Sequence, residues 1–483
     1  MFTTKTIVTS LFWKFMERCG TSGVQFVTSI VLARLLLPED FGLIALVMVF
    51  ITLANVFVQN GFSTSLIQKK NADNLDFSSV FYATLLLAGV IYAILFFTAP
   101  LVANFYDHPE LTTIVRALSL TLFFGALNSI QEAYIARNML FKKLFWRSLG
   151  ALVPSAAIGI TCALKGFGVW ALVIQQLCDV FLMCVFMWFS VKWRPQLQFS
   201  FERVKGLLSF GWKLQVSALL DTGYGKFRDL VFGTLFTPAA LGYYSRGEMF
   251  PLAIIANINA SIQSILLPTL SVAQDNRAHV KQMMRRAITT SSFVILPIMA
   301  GIAALARPLV LVLLGEKWLP CVPFIQIFCF SYAFWPIHTS NLSAINAVGR
   351  SDIFLKLEII KKIFGLTILG LFIYLFRTPI GVASTAFITA IVGGFINAHP
   401  NKKLLDYGYF EQLRDIAPAF ALSLATGGIL FYLTTLEIAP VIQLIFYTLL
   451  GFFMYFGAAK LLHFESLDYL KTVLKELVNG SSS

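Results

Sequence analysis

Long apolar runs separated by short polar connections make up most of the chain. A helix needs about 20 apolar residues to cross the roughly 30 Å hydrocarbon layer of a bilayer. About fourteen runs reach that length, at residues 11–36, 41–66, 78–102, 112–136, 147–165, 168–191, 209–237, 240–271, 286–314, 320–347, 354–377, 379–398, 413–436 and 439–461. The pattern predicts an all-α polytopic membrane protein with about 14 transmembrane helices.

The composition fits a protein that is surrounded by lipid. Of the 483 residues, 58% are hydrophobic and 13% are charged, whereas about 25% of the residues in a typical soluble domain are charged. A water-soluble fold could not bury so much apolar surface, so the composition argues against a soluble globular protein. The six cysteines show no Cys-x-x-Cys spacing, and neither a disulfide framework nor a metal site is predicted.

The net charge of +13 would suit nucleic-acid binding, but the basic residues occur in short clusters between the apolar runs. When successive connections are assigned to alternate sides of the membrane, 24 Lys and Arg, Arg147 among them, fall on one side and six fall on the other. Cytoplasmic loops carry the excess of Lys and Arg in membrane proteins. Both termini are therefore predicted to be cytoplasmic, and no nucleic-acid partner is expected.

One sequence motif occurs twice, about 200 residues apart. Leu-Pro-Glu-Asp-Phe-Gly at 37–42 corresponds to Thr-Pro-Ala-Ala-Leu-Gly at 237–242, and a Trp-Lys pair precedes each copy, at 13–14 and 212–213. Pro and Gly are common in turns, so chance coincidence is the alternative interpretation. The similar spacing within both copies favours two related units of six helices, the parallel repeat found in alternating-access transporters.

The repeat and the boundaries of the apolar runs together predict four segments. Residues 1–205 form an N-lobe of helices 1–6, and residues 206–398 form a pseudo-symmetric C-lobe of helices 7–12. Residues 399–463 add two C-terminal helices. Residues 464–483 are predicted to be a cytoplasmic tail that contains an interfacial helix, because its leucines fall on one helical face.

Polar side chains inside the predicted spans mark the candidate functional sites, because a charge deep in a bilayer is costly unless it faces a polar cavity. Helix 1 carries Arg18, Ser22, Gln25 and Ser29 on one face, and helix 7 carries Ser217, Asp221, Tyr224 and Arg228 at the same spacing. Two equivalent helices with matching polar faces indicate a shared central cavity. The alternative is that Arg228 pairs with Asp221 or Asp229 and only holds helices together.

Further candidates lie on other helices. Arg246 and Asn257 on helix 8 join the proposed substrate-binding set, whereas Glu132, Asp221 and His338 are candidates for coupling or gating. An intramembrane His is more often a hydrogen-bonded packing residue than a proton carrier, which weakens the case for His338. Arginines at several depths suit an anionic substrate, above all a phosphate or pyrophosphate that a guanidinium can bind bidentately.

Four segments carry a resemblance to a known family. Residues 29–45 and 61–69 resemble the opening of bacterial polysaccharide exporters, which belong to the polysaccharide transporter family of the MOP flippase superfamily, in its Wzx, colanic-acid-exporter-like branch. Residues 228–233 and 240–246 resemble the central motif of the same branch. The resemblance covers helices 1–12 and is thin over the last two. Leu37 departs from the pattern, because the family often has Gly there.

The resemblance implies a flippase of the bacterial inner membrane rather than an enzyme. Its substrate would be a polyprenyl-pyrophosphate-linked oligosaccharide, the repeat unit of an O-antigen or exopolysaccharide, carried from the cytoplasmic to the periplasmic leaflet. Related flippases bind the pyrophosphate with cavity arginines, a role carried over as a hypothesis to Arg18, Arg228 and Arg246. No cofactor is expected, and coupling to an H⁺ or Na⁺ gradient is a hypothesis. Membrane lipids and the polymerase and chain-length proteins of the same pathway are the expected partners.

Two other functions are alternatives to a flippase. An ion-coupled multidrug exporter of the same superfamily would need acidic cavity residues, for which Asp221 and Glu132 are available. A membrane glycan polymerase or ligase would need a large outer loop for its catalytic residues. The longest outer loop here, near residues 103–111, has only about ten residues, and loops that carry catalytic sites are usually longer.

Overall fold

The computed structural model describes residues 4–69, 72–137, 141–273 and 276–480. Every regular element in these ranges is a helix, which confirms the all-α fold class. The first nine are α1 (Thr4–Leu35), α2 (Pro38–Gln68), α3 (Asn74–Phe105), α4 (Glu110–Ser119), α5 (Thr121–Arg137), α6 (Phe141–Leu164), α7 (Val169–Ser190), α8 (Phe201–Leu235) and α9 (Pro238–Val272).

The second half continues in the same way. It contains α10 (Arg277–Ala304), α11 (Ala306–Leu313), a 3₁₀ turn (Glu316–Cys321), α12 (Val322–Ala333), α13 (Trp335–Ala347), α14 (Ser351–Phe376), α15 (Pro379–Leu405), α16 (Tyr409–Leu433), α17 (Pro440–Leu461) and α18 (Glu465–Gly480). The short α18 coincides with the predicted interfacial helix of the tail.

Twelve helical segments among the described residues are long and apolar enough to cross a membrane, so the chain is a multi-pass membrane protein. Two of the twelve combine neighbouring elements, Glu110–Arg137 and Glu316–Ala347. The helices α1 and α8 cover two further predicted spans and have 32 and 35 residues. Their polar and charged side chains keep them out of the twelve. The count of 14 spans and the cytoplasmic placement of the termini therefore stay predictions.

The chain divides into two compact units, Met1–Gly242 and Tyr243–Ser483. In the first unit α8 packs along α2, and α6 packs between α1 and α7. In the second unit α10 packs along α16, and α14 packs along α15. The first unit thus contains α8, which the sequence assigns to the C-lobe. The lobe boundary at residue 205 remains a prediction.

The repeated motif forms two helix starts that contact each other within the first unit. Pro38 and Pro238 occupy the first positions of α2 and α9, where a missing N–H costs nothing. A Cβ atom on Gly42 would lie 1.7 Å from the Pro238 carbonyl oxygen, and one on Gly242 would lie 2.0 Å from the Pro38 carbonyl oxygen. Each glycine therefore lies directly against the backbone of the other copy. This reciprocal contact is the geometry that a two-fold repeat produces, and it supports the internal repeat.

A buried carboxylate holds together the starts of α3 and α8. Asp76 is fully buried, and its oxygens lie 2.6 and 2.7 Å from the Lys69 Nζ and 3.1 Å from Arg203 Nη1. The hydroxyls of Ser78 and Ser79 accept hydrogen bonds from the backbone of residues 196 and 200. We call this set the α3 clamp. It fixes the connection between α7 and α8 to the start of α3.

The second unit has a similar arrangement with the charges reversed, which we call the α10 clamp. Here the cations are on α10: Lys281 Nζ lies 3.2 Å from Glu411, and Arg285 Nη2 lies 2.6 Å from Asp415 at the start of α16. The Tyr407 hydroxyl, in the connection before α16, donates to Asp415 at 2.7 Å. Burial and this hydrogen bond raise the pKa of Tyr407 well above its usual range.

Replacing Gly42 or Gly242 with Ala should destabilise the protein strongly. Overpacking usually costs about 1–3 kcal/mol, but here the obstacle is backbone that cannot rotate away, so we expect a larger loss. Gly225→Ala on α8 is the matched control, since a Cβ there meets nothing within 4 Å. Thermal unfolding of the purified protein measures the effect. Equal melting temperatures for the three variants would contradict the reciprocal contact.

Asp76→Ala should also destabilise the first unit, because it leaves Lys69 and Arg203 without their buried partner. Breaking a buried ion pair costs about 3–5 kcal/mol, and we expect the lower end because both cations are partly exposed. Asp352→Ala provides the control, since it removes a carboxylate of the exposed Arg350–Asp352 pair. A melting temperature for Asp76→Ala that matches this control would show that the α3 clamp does not stabilise the fold.

Candidate functional site

The predicted polar face of α1 lies away from the neighbouring helix. Arg18 and Gln25 are exposed, and Ser22 and Ser29 are partly exposed. The opposite side of α1 packs on α6, where a Cβ on Gly20 would meet Leu149 and Phe145 at 3.5 and 3.6 Å. The helix therefore contacts α6 through Gly20 and through Glu17, which accepts a hydrogen bond from the Ser148 hydroxyl at 3.3 Å. Its predicted polar face lies away from these contacts.

The equivalent face of α8 is arranged in the same way. Ser217 and Asp221 are exposed, and Tyr224 and Arg228 are partly exposed. The other side of α8 packs on α2 through a hydrogen bond from Gln215 Nε2 to the Phe57 carbonyl, at 2.9 Å. The polar faces of α1 and α8, predicted from sequence to be equivalent, are thus both turned away from their main packing partners.

One of the two carboxylates considered as a partner for Arg228 is engaged elsewhere. Asp229 Oδ2 lies 2.8 Å from Lys226 Nζ, one turn away on the same helix. Arg228 itself is half-buried on the polar side of α8. Asp229 thus has a described partner in Lys226, and the alternative interpretation of Arg228 as a residue that pairs with Asp221 or Asp229 stays open.

The first turns of α9 hold Arg246 beside an acidic residue that the sequence reasoning missed. Arg246 is half-buried, and its Nη1 lies 3.2 Å from the Met249 sulfur. Glu248 accepts a hydrogen bond from the Tyr332 hydroxyl of α12. The signal for Glu248 was present in the sequence, since it is a carboxylate two residues after Arg246 in an otherwise apolar run.

Asn257, farther along α9, is exposed and donates to the Ala253 carbonyl of its own helix at 2.9 Å. It is therefore oriented by its own helix. Two residues on, the side chain of Asn259 accepts a hydrogen bond from Thr339 on α13. Of these two asparagines, only the second, which sequence reasoning did not select, joins α9 to another helix through a described contact.

The gating candidate Glu132 forms an ion pair with an arginine that the charge pattern places in a polar connection. Arg147 lies in α6 and is 4% exposed, and its Nη2 is 3.4 Å from Glu132 Oε1. Its Nη1 is 2.7 Å from the Met187 sulfur. Arg147 thus lies in α6, which begins at Phe141, and not in the polar connection before it, while its assignment to the cytoplasmic side stays a prediction.

Two more polar residues, His338 and Asp179, lie inside helices that could cross the membrane. His338 on α13 bonds the Ala390 carbonyl through Nε2 at 2.9 Å and the Asn397 amide through Nδ1 at 3.1 Å, the environment of a packing histidine. Asp179 on α7, which the sequence reasoning missed, accepts from the Ser155 hydroxyl of α6 at 3.3 Å. The described part of the chain contains no cluster of three His, Cys, Asp or Glu that could hold a metal ion.

The second unit contains an apolar cavity of about 470 Å³ between α10, α16 and α17. Its walls are almost entirely hydrocarbon, because the hydroxyls of Ser423 and Thr448 donate to carbonyls of their own helices. A second apolar cavity of about 340 Å³ lies between α10, α12 and α16, and shares Ser423 and Gly427 with the first. These cavities offer apolar surface to a hydrocarbon chain and no group for catalysis.

Solved structures share this fold. A lipid II flippase, MurJ, in an inward closed conformation has a TM-score of 0.75, with 17% identity over 98% of this chain and 100% of that one. An inward-facing multidrug resistance MATE family transporter of the MOP superfamily has a TM-score of 0.59, with 16% identity over 80% of this chain and 95% of that one. At these identities the likeness establishes the fold alone, and it confirms the predicted fold class.

Several curated proteins are similar in sequence over most of the chain. The succinoglycan biosynthesis transport protein ExoT of Rhizobium meliloti is 24% identical, covering 74% of this chain and 73% of ExoT. The lipopolysaccharide biosynthesis protein WzxC of Escherichia coli is 23% identical, covering 86% and 85%. The teichuronic acid biosynthesis protein TuaB of Bacillus subtilis is 21% identical, covering 72% and 73%.

The names of these relatives describe transport and polysaccharide biosynthesis, which accords with the expectation of a transporter rather than an enzyme. A family model described as polysaccharide biosynthesis protein matches residues 31–323, which is more than half of the chain. The resemblance seen in the sequence is thereby confirmed. The chain belongs to the polysaccharide biosynthesis protein family.

Proposed function

We propose that the protein moves a polyprenyl-pyrophosphate-linked oligosaccharide from the cytoplasmic to the periplasmic leaflet of a bacterial inner membrane. The oligosaccharide would be the repeat unit of a surface polysaccharide, and transport would proceed by alternating access. Relatives named for succinoglycan transport and for lipopolysaccharide biosynthesis support the polysaccharide. The fold shared with a lipid II flippase supports a lipid-linked cargo.

One observation carries the proposal: α1 and α8 are long enough to span a membrane but are more polar than the twelve helices that are apolar enough to cross one. Polar groups in a spanning helix are tolerated where they face protein or a water-filled space. The polar sides of α1 and α8 are not covered by α6 and α2, their main packing partners, so a hydrophilic pathway would account for them. Because the two helices are equivalent in the repeat, the pathway would be lined in the same way from both lobes.

The pyrophosphate would be bound by Arg18, Arg228 and Arg246. A guanidinium presents parallel N–H donors that match two phosphate oxygens, and such charge-assisted pairs are stronger than neutral hydrogen bonds. Ser22, Gln25 and Asn257 would provide hydroxyl and amide groups for the sugar hydroxyls. The groups that face the pathway would thus suit an anionic, polyhydroxylated headgroup.

The lipid tail would follow the apolar cavity between α10, α16 and α17. A polyprenyl chain must remain in an apolar environment while its headgroup crosses, because exposing hydrocarbon to water is costly. The cavity walls offer such an environment, since the hydroxyls of Ser423 and Thr448 donate within their own helices and that of Tyr455 donates to the Phe293 carbonyl. The two helices that follow the repeated lobes, α16 and α17, would therefore serve the tail rather than the headgroup.

Coupling to an H⁺ or Na⁺ gradient is part of the proposal, with Asp221 and Glu132 as the acidic candidates. The Glu132–Arg147 pair would gate by opening, because its Arg147 side is buried and its Glu132 side is exposed. The two hydrogen bonds of His338 argue for packing, so we assign it no role in coupling. The polymerase and chain-length proteins of the pathway would receive the product.

Replacing Arg18, Arg228 or Arg246 singly with Ala should lower export of surface polysaccharide by about 10-fold or more. A hydrogen bond to a charged group contributes about 1.5–3 kcal/mol, which corresponds to that change in rate. Complementation of a deletion strain, with surface polysaccharide normalised to membrane protein, measures the effect. Lys226→Ala, which removes a cation of α8 that pairs with Asp229, should retain export.

Two outcomes would redirect this interpretation. Full complementation by the triple Arg18, Arg228 and Arg246 variant would exclude a role for these arginines in binding. A deletion strain that is sensitive to cationic drugs while its surface polysaccharide is intact would favour multidrug export. The family assignment would stand in either case.

Gly301→Leu should reduce export by filling the apolar cavity. Gly301 lines the cavity, and a Cβ there meets nothing within 4 Å, so the larger side chain can enter without a local clash. Gly370→Leu on α14 is equally unobstructed and does not line this cavity. Surface polysaccharide should fall for the first variant only, at equal protein levels. Equal export by both variants would argue against the path of the tail.

A further inference from the structure

A network of buried amides joins α13, α15 and α16 in the second unit. Asn341, Asn397, Asn401 and Gln412 are all fully buried. Asn341 Nδ2 donates to Gln412 Oε1 at 2.8 Å, and Gln412 Nε2 donates back to Asn341 Oδ1 at 3.0 Å. Asn401 Nδ2 donates to the same Asn341 oxygen at 2.7 Å. The amides therefore tie three helices together away from water.

The surrounding groups fix the orientation of Asn401. Asn341 Nδ2 also donates to the Ile337 carbonyl at 2.7 Å, and Gln412 Nε2 also donates to the Tyr407 carbonyl at 3.2 Å. The Oδ1 of Asn341 therefore faces Asn401, and Asn401 donates to it through Nδ2. The Oδ1 of Asn401 then faces away from Asn341, and no donor among the described residues lies within hydrogen-bond distance of it.

The orientation of Asn397 is fixed in a different way. The Ala390 carbonyl lies 2.9 Å from His338 Nε2, so this nitrogen carries the proton and Nδ1 accepts from Asn397. The Asn397 Oδ1 is consequently also without a donor in the described part of the chain.

A third acceptor lies on the same turn of α15. Asn397 and Asn401 are four residues apart and share one face of the helix. Pro400 lies inside α15 and has no N–H, so the Ile396 carbonyl loses its helical donor. Acceptors thus outnumber donors over about one turn of this helix. Hydrocarbon cannot supply the missing hydrogen bonds, and ordered water commonly does so beside prolines in membrane helices.

We propose that this turn of α15 binds ordered water, held by the Oδ1 atoms of Asn397 and Asn401 and the carbonyl oxygen of Ile396. Water fits the site better than a metal cation does. All three acceptors are uncharged, so they would not offset the cost of burying a cation, whereas a neutral donor carries no such cost. The site does not depend on the identity of the transported substrate.

Water-edited solid-state NMR of the full chain in lipid bilayers, with ¹³C,¹⁵N-labelled Asn, tests this site. Magnetisation from water should reach the side-chain Cγ of Asn397 and Asn401 several-fold faster than it reaches Asn341. Asn341 is the internal control, because it is equally buried and its amide hydrogen bonds are all made to protein. Slow transfer to all three residues would overturn the proposal.

Two variants and a salt series sharpen the test. Asn401→Leu, which is nearly isosteric and apolar, should slow the transfer to Asn397, whereas Thr389→Val should not, because the Thr389 hydroxyl bonds only its own helix. Unchanged transfer in Asn401→Leu would contradict a shared site. Replacing Na⁺ with K⁺ or choline should leave the Cγ shifts unchanged, and a shift specific to one ion would identify a cation site instead. If Asn401→Leu fails to fold, the comparison with Asn341 still decides.

Discussion

Polar groups inside a bilayer must find partners within the protein, because hydrocarbon offers none. Apolar side chains gain little from leaving lipid for the protein interior, so close backbone contacts and side-chain hydrogen bonds largely determine which helices associate. The glycine–proline contact between α2 and α9 and the amide pair of Asn341 and Gln412 are examples of each. These few contacts carry the specificity that a large hydrophobic core carries in a soluble domain.

The same constraint gives meaning to the helices that break the apolar pattern. A polar face on α1 or α8 would be costly against lipid. The proposed hydrophilic pathway would remove that cost for both helices. In the proposed function, one physical requirement would account both for the passage of a charged headgroup and for the composition of these two helices. The apolar cavity of α10, α16 and α17 would meet the opposite requirement of a hydrocarbon tail.

The apolar runs predicted the fold class and nearly every long helix, because a helix that crosses lipid must be apolar along about 20 residues. Periodicity did not predict the break between α4 and α5 at Leu120, where no proline or glycine interrupts the run. The ion pair of Arg147 with Glu132 on the preceding helix was also missed. The partner of Glu248 was missed because Tyr332 lies on a helix distant in sequence. The glycines of the repeated motif could be recognised in the sequence. Their close contact with the backbone of Pro238 and Pro38 could not be predicted from it.

The α3 and α10 clamps have opposite polarity, and this difference affects which helices can pair while the two units assemble. If α3 docked at the start of α16, Asp76 would face Glu411 and Asp415. If α10 docked at the start of α8, Lys281 and Arg285 would face Arg203. Like charges in such positions are repelled, so each newly inserted half would reject the wrong partner. The opposite polarity of the two clamps thus disfavours the exchange of helices between the two units.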